Sequence, residues 1–262
     1  HATLLKKYVG GRQTLSQLSD AAGKSVPWVR HRLYATTFSY TAPQPQPTII
    51  VADTTFWGHS YGVCVFRSPT LKKNLWWNEV GSERVGHYYY GRKILEERGW
   101  TFTAAVVDGR RGLTRVFSGI PVQICIFHQV KCVTKYVTRK PETLAGQELR
   151  LIALKLKESS EQAFTKLLSD WYGRWKSFIN EKTRISGCNR WFYTHKNVRS
   201  AYRSLETNLP YLFTHQKYPG LNIPNTTNSL DGMFSQLKNK VAVHRGLRRD
   251  RRYKIISEIL SK

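Results

Sequence analysis

The spacing of apolar residues changes several times along the chain, and each change marks an element. Residues 14–34, TLSQLSDAAGKSVPWVRHRLY, place Leu15, Leu18 and Ala21 or Ala22 on one helical stripe and Val29 and Leu33 on a second. Thr14 and Ser25 are side chains that can cap the two helices, Gly23 supplies the turn between them, and Pro27 is tolerated in a first turn. TAPQPQP, residues 41–47, carries three prolines in seven residues and predicts an extended linker. TIIVADTTFW, YGVCVFR at 61–67 and LWWNEVGS at 75–82 read as three consecutive strands. A helix over 84–98, the strand FTAAVVDG, a short helix and the strand PVQICIF at 121–127 follow.

From 141 to 215 the apolar period becomes helical, with Trp171, Trp175 and Phe178 on one stripe that reads as core. A loop ending in Pro224 leads to NTTNSLDGMFSQLKNKV, a helix from about Ser229 with Thr227 or Asn228 as its cap, and the basic tail HRGLRRDRR closes the core. No internal repeat is apparent. Three antiparallel strands followed by alternating helix and strand predict an α/β fold with a ribonuclease H-like core. In that order the strand carrying Asp53 and the strand carrying Asp108 lie side by side. The expected organisation is a helix-turn-helix at 1–40, a linker at 41–47, a first part of the core at 48–140, an all-helical insertion at 141–215 and the rest of the core at 216–262.

Charge narrows the function. Lys and Arg total 42 against 17 Asp and Glu, a net charge of +25 in 262 residues, which suits a polyanionic partner. A membrane partner is disfavoured, because no run of about 20 apolar residues exists and the basic residues are dispersed. Cys64, Cys125, Cys132 and Cys188 form no dense disulfide framework and no signal peptide precedes them, so a reducing cytoplasm is expected. The chain opens on His1 instead of Met, which implies that the natural protein begins upstream.

In this basic field the acids Asp53, Asp108 and Asp231 stand out as candidate metal ligands, because hard divalent cations take oxygen donors. The second helix of the N-terminal pair offers Lys24, Trp28, Arg30, His31 and Arg32 for a DNA groove, or else the pair only packs on the main domain. Lys238 lies seven residues beyond Asp231, so both fall on one helical face and Lys238 is placed to meet DNA phosphate. Cys125-x-x-His128, with Cys132, invites a zinc reading that would need Cys188 and His195 to fold back. A buried structural role for Cys125 and His128 is the alternative.

Asp53 in VADTTF, Asp108 in VVDGR, the Cys125-x-x-His128 pair in ICIFHQVK and the block TTNSLDGMFSQLK resemble the Mutator-like superfamily of DDE transposases, which includes bacterial insertion-sequence enzymes. The resemblance covers roughly residues 48 to 248. It implies two Mg²⁺ ions, with Mn²⁺ as a substitute, held by Asp53, Asp108 and Asp231, and a Cys-x-x-His pair that is a structural mark near the active site. It also implies cleavage of element ends, strand transfer into target DNA, a homo-oligomer on the terminal inverted repeats, and a nucleoid-associated location in a bacterial cytoplasm. The acids are 55 and 123 residues apart, the second gap long enough for a helical insertion. One departure stands out: the family pattern Thr-Asn-x-x-Glu ends here in Asp231. Two rival readings are a non-catalytic DNA-binding protein derived from a transposase and a ribonuclease H-like nuclease without strand transfer.

Overall fold

In a computed structural model, residues 2–36, 40–244 and 246–262 are described. The fold is mixed α/β, and its chain divides into two compact units, His1–Phe102 with Asn228–Lys262, and Thr103–Thr227.

The first unit opens with α1 (Ala2–Leu5), which runs into a π-helical turn at Lys6–Gly10 that buries Tyr8 and Val9. The helical pair follows as α2 (Leu15–Ala22) and α3 (Val26–Ala35). Thr14 and Gln17 form a reciprocal capping box, Gly23 sits in the left-handed region at φ 58°, and the Ser25 hydroxyl caps α3. Leu18, Val29 and Leu33 are buried.

Three strands then form an antiparallel meander: β1 (Pro47–Phe56), β2 (Gly62–Ser68) and β3 (Lys73–Val80). Asp53 does not end its strand, as the sequence suggests, but is followed by three further β1 residues, because Thr54 to Phe56 continue the ladder against Cys64 to Gly62. α4 (Val85–Glu97) lies on the meander at Gly91. A Cβ there would come within 2.7 Å of the Phe66 and Trp76 rings, so glycine permits the close approach.

β4 (Thr101–Val107) continues the sheet, which with β5 (Val122–Ile124) has five strands in the order β3-β2-β1-β4-β5. β4 and β5 are parallel, joined through α5 (Leu113–Val116). The strand expected over 121–127 stops at Ile124, and Ile126 already begins α6 (Ile126–Val137). α7 (Leu144–Leu154), α8 (Glu161–Asn180), α9 (Lys196–Leu212) and α10 (Thr214–Lys217) complete the second unit's helices. Their core joins Leu149, Phe164, Leu205 and Phe213 around the fully buried Trp171, whose indole donates to the Ala145 carbonyl at 3.0 Å. Trp175 and Phe178 pack against this core.

The 141–215 block is not wholly helical. Between α8 and α9 the chain forms a hairpin of β6 (Lys182–Arg184) and β7 (Trp191–Tyr193), favoured locally by Thr183, the aromatic run of β7 and a left-handed Gly187 at φ 81°.

The chain returns to the first unit as α11 (Asn228–Ala242) and α12 (Arg249–Leu260). The basic tail expected from the sequence leads into α12; Arg245, within that tail, lies outside the described residues. Ile255, Ile256 and Leu260 of α12 are buried. The helix is tied to β3 by the Asn74 amide donating to the Leu260 carbonyl at 2.8 Å and the Trp77 indole donating to the Ser257 hydroxyl at 3.0 Å. The positive charges of its first turn hide a core stripe that only packing reveals.

Candidate metal centre

The first unit brings two of the three acids together. Asp53 is buried, 7% exposed, and its register partner across the ladder is Val65. Its Oδ1 accepts from the Thr54 amide at 2.7 Å, which orients the carboxylate. Asp231 occupies the first turn of α11, and Leu230, Phe234 and Leu237 supply that helix's buried stripe. α11 packs on β1, so the half-buried Asp231 arrives with a carboxylate oxygen within 4.8 Å of one of Asp53. Like charges this close repel, and a cation between them reverses the sign of the interaction. Two carboxylate oxygens, one of them on a buried residue, are donors that a divalent metal ion takes.

Asp108 belongs to the second unit, immediately after β4, where it is half-buried and its Oδ1 accepts from the Arg110 amide at 2.9 Å. The turn it heads is held by residues that sequence reasoning did not single out. A Cβ on Gly109 would stand 2.7 Å from the Asn208 amide nitrogen, so this turn passes close to α9 and a side chain there would displace the Asn208 amide. Asn208 donates to Gln129 at 2.7 Å, and Gln129 in turn donates to the Ser204 hydroxyl at 3.1 Å. No local pattern links Asn208 and Gln129, which are 79 positions apart.

Cys125 precedes α6 and is buried, its amide donating to the Val107 carbonyl at 2.8 Å. Thr227 donates to its sulfur from the amide at 3.3 Å and from the hydroxyl at 3.4 Å, and the same hydroxyl lies 3.3 Å from His128 Nδ1. Burial pushes the Cys125 thiol up, but hydrogen bonding with His128 and Thr227 outweighs burial and leaves the thiol below its usual value. The Cys-x-x-His pair thus clasps Thr227, the residue that leads into the helix of Asp231. Cys132 is half-buried and Cys188 exposed, whereas His195 pairs with Glu181 at 3.0 Å.

On α3, Trp28, Arg30, His31 and Arg32 are all exposed, as is Lys24 before it, and the Arg32 guanidinium lies 5.3 Å from the Trp28 ring centre. Lys238 is exposed on α11. No helix is long and apolar enough to cross a membrane among the described residues.

No family model and no curated protein matches the chain. Among solved structures, a Drosophila P element transposase strand transfer complex is similar over 99% of this chain and 91% of that one, with a TM-score of 0.43 and 9% sequence identity. A likeness at that level decides nothing about this chain's chemistry.

Proposed function

We propose that the chain is a DNA transposase of the DDE kind, which cleaves element ends and joins the freed 3′ hydroxyl to target DNA. The observation that carries this reading is the pair of carboxylates, Asp53 and Asp231, drawn within 4.8 Å in a chain of net charge +25. Asp53, Asp108 and Asp231 hold the catalytic divalent ions in this proposal, and the resemblance of their sequence blocks to the Mutator-like enzymes supports it. Bound Mg²⁺ would supply charge stabilisation for the attacking and leaving oxygens of an in-line displacement. The buried Asp53 sets the position of the centre, the helix-borne Asp231 closes it, and Cys125 with His128 has a structural role in holding Thr227 ahead of Asp231. Lys24, Trp28, Arg30 and Arg32 bind the terminal repeats in this proposal, and Lys238 contacts backbone phosphate. The enzyme acts on its repeats as a homo-oligomer.

Strand transfer into supercoiled plasmid tests the reading. The wild-type chain should join a labelled end to the target only with Mg²⁺ or Mn²⁺ present, and Asp53→Ala should not. Metal-dependent nicking without joining would make the protein a nuclease. Repeat-specific binding with neither activity would make it a DNA-binding derivative.

A further inference from the structure

We propose that the hairpin of β6 and β7 is a platform for unpaired nucleotides, with bases stacking on Trp191 and Phe192 and phosphates held by Lys182, Arg184 and Arg190. Trp191 is 48% exposed and Phe192 47%, and Ile185 at the turn is exposed as well, so three large apolar side chains stand in water on one hairpin. Folding does not explain them, because burial would have been favourable for each.

The register gives the ribbon two chemically distinct faces. Lys182 pairs with Tyr193 and Arg184 with Trp191, so two cations and two aromatic rings share one face, while Phe192 lies on the other opposite Thr183. Trp191 and Tyr193 meet edge to face at 5.2 Å, with the Lys182 ammonium 4.0 Å from the Trp191 ring centre. From Lys182 to Arg199 there are five Lys or Arg and no acid, which sets the charge of the partner as negative.

The mount of the ribbon is fixed. The Thr183 and Thr194 hydroxyls are 2.7 Å apart, the Thr194 amide donates to the Glu181 carbonyl at 3.0 Å, and the His195 ring stacks on Phe178 at 3.5 Å. A rigid stem that presents aromatic rings between cations is the chemistry of single-strand binding: every base offers a π face once unpaired, whereas a duplex hides those faces and leaves only edges and phosphates. A protein partner would have no need of five cations in a stretch without an acid, and duplex DNA would have no use for the rings.

Single-strand binding by the ribbon needs no metal, so it is measured in EDTA with the full chain. Fluorescence anisotropy is recorded with a labelled 12-nucleotide oligo(dT) and with a 12-base-pair duplex. Trp191→Ala should weaken oligo(dT) binding about tenfold while changing duplex binding less than twofold, and Trp191→Phe should stay within about threefold of wild type on both. An equal loss on both probes, or none on oligo(dT), overturns the proposal. So does a change of oligomeric state in Trp191→Ala with oligo(dT) binding intact, which would make the ribbon an interface between copies. Because Phe192 lies on the opposite face, Phe192→Ala gives a second test if Trp191→Ala melts early: unchanged oligo(dT) binding there overturns the two-faced platform. Asp53→Ala should bind oligo(dT) like wild type, so a failure of the metal centre and a failure of the platform read out separately.

Discussion

Replacing Asp231 by Asn separates a metal ligand from a helix-end residue through stability alone. Two carboxylate charges at the outer limit of 4.8 Å repel by about 3.5 kcal/mol at an effective dielectric of about 20 and by about 0.9 kcal/mol in water, and Asp53 is buried on its side of the pair. Against this, an acid in the first turn of α11 gains about 0.3–1 kcal/mol from the helix dipole. With the dipole and the other contacts of Asp231 set against the repulsion, Asp231→Asn should change stability by less than about 1 kcal/mol in EDTA. In the proposed metal centre magnesium reverses the order. At 10 mM Mg²⁺ and a Kd of about 1 mM, binding stabilises the wild-type fold by about 1.4 kcal/mol. For 262 residues that raises Tm by about 2–3 °C. The variant should show little of this shift. Differential scanning fluorimetry with and without Mg²⁺ measures both quantities. An Asp231→Asn protein that is at least 1 kcal/mol less stable in EDTA and keeps the full Mg²⁺ shift would refute the reasoning and leave Asp231 as a helix-end residue only.

Asp53→Ala or Asp108→Ala should abolish Mg²⁺-dependent cleavage with DNA affinity kept within about twofold, checked by a plasmid nicking assay beside a binding isotherm. Asp231→Glu should keep or raise strand transfer, since the longer side chain on the same helix face still reaches the ions; a dead Asp231→Glu beside an active wild type would count against direct ligation. Arg30→Ala and Arg32→Ala should each reduce the slope of log K against log salt by about 0.9, measured on repeat DNA. Point changes are the better probe of this segment, because Lys254 donates to the Tyr34 carbonyl at 2.6 Å and Arg251 covers the Tyr34 ring, so deleting residues 1–40 would also strip α12. Burial lowers the proton affinity of His244, whose Nε2 is buried without a partner and whose ring lies 4.0 Å from that of Tyr8. The unfolded chain takes up the proton near pH 6.5, so this stability is present above that pH and is lost as pH falls, by up to about 1.4 kcal/mol per unit. Urea titrations from pH 7 to 5 should show a flatter loss in His244→Phe, with His215, also lowered by burial, retaining part of the slope.

The sequence by itself determined the elements whose causes are local. The Thr14 capping box, the left-handed Gly23 and the Ser25 cap follow from side chains within three or four positions of one another, and so α2 and α3 were legible. The alternating and continuous apolar runs of β1 to β4 were legible for the same reason, as was the presence of α11. Asp53, Asp108 and Asp231 could be singled out because an acid after an apolar strand, or at the head of a helix, is scarce in so basic a chain. Tertiary structure alone decided what depends on distant partners. α12 starts on a run of arginines, and only docking on β3 through Asn74 and Trp77 shows that Ile255, Ile256 and Leu260 form a core face. Strand β5 ends after three residues because, past the last rung from the Cys125 amide to the Val107 carbonyl, the Ile126 amide turns to the Asn225 carbonyl, a switch into α6 set by a chain segment 99 positions away. Asp53 and Asp231, 178 residues apart, meet because α11 lays its apolar stripe on β1. Capping and alternation act over a few residues, whereas the meeting of two carboxylates is fixed by burial of apolar faces far apart along the chain, and no local spacing encodes it.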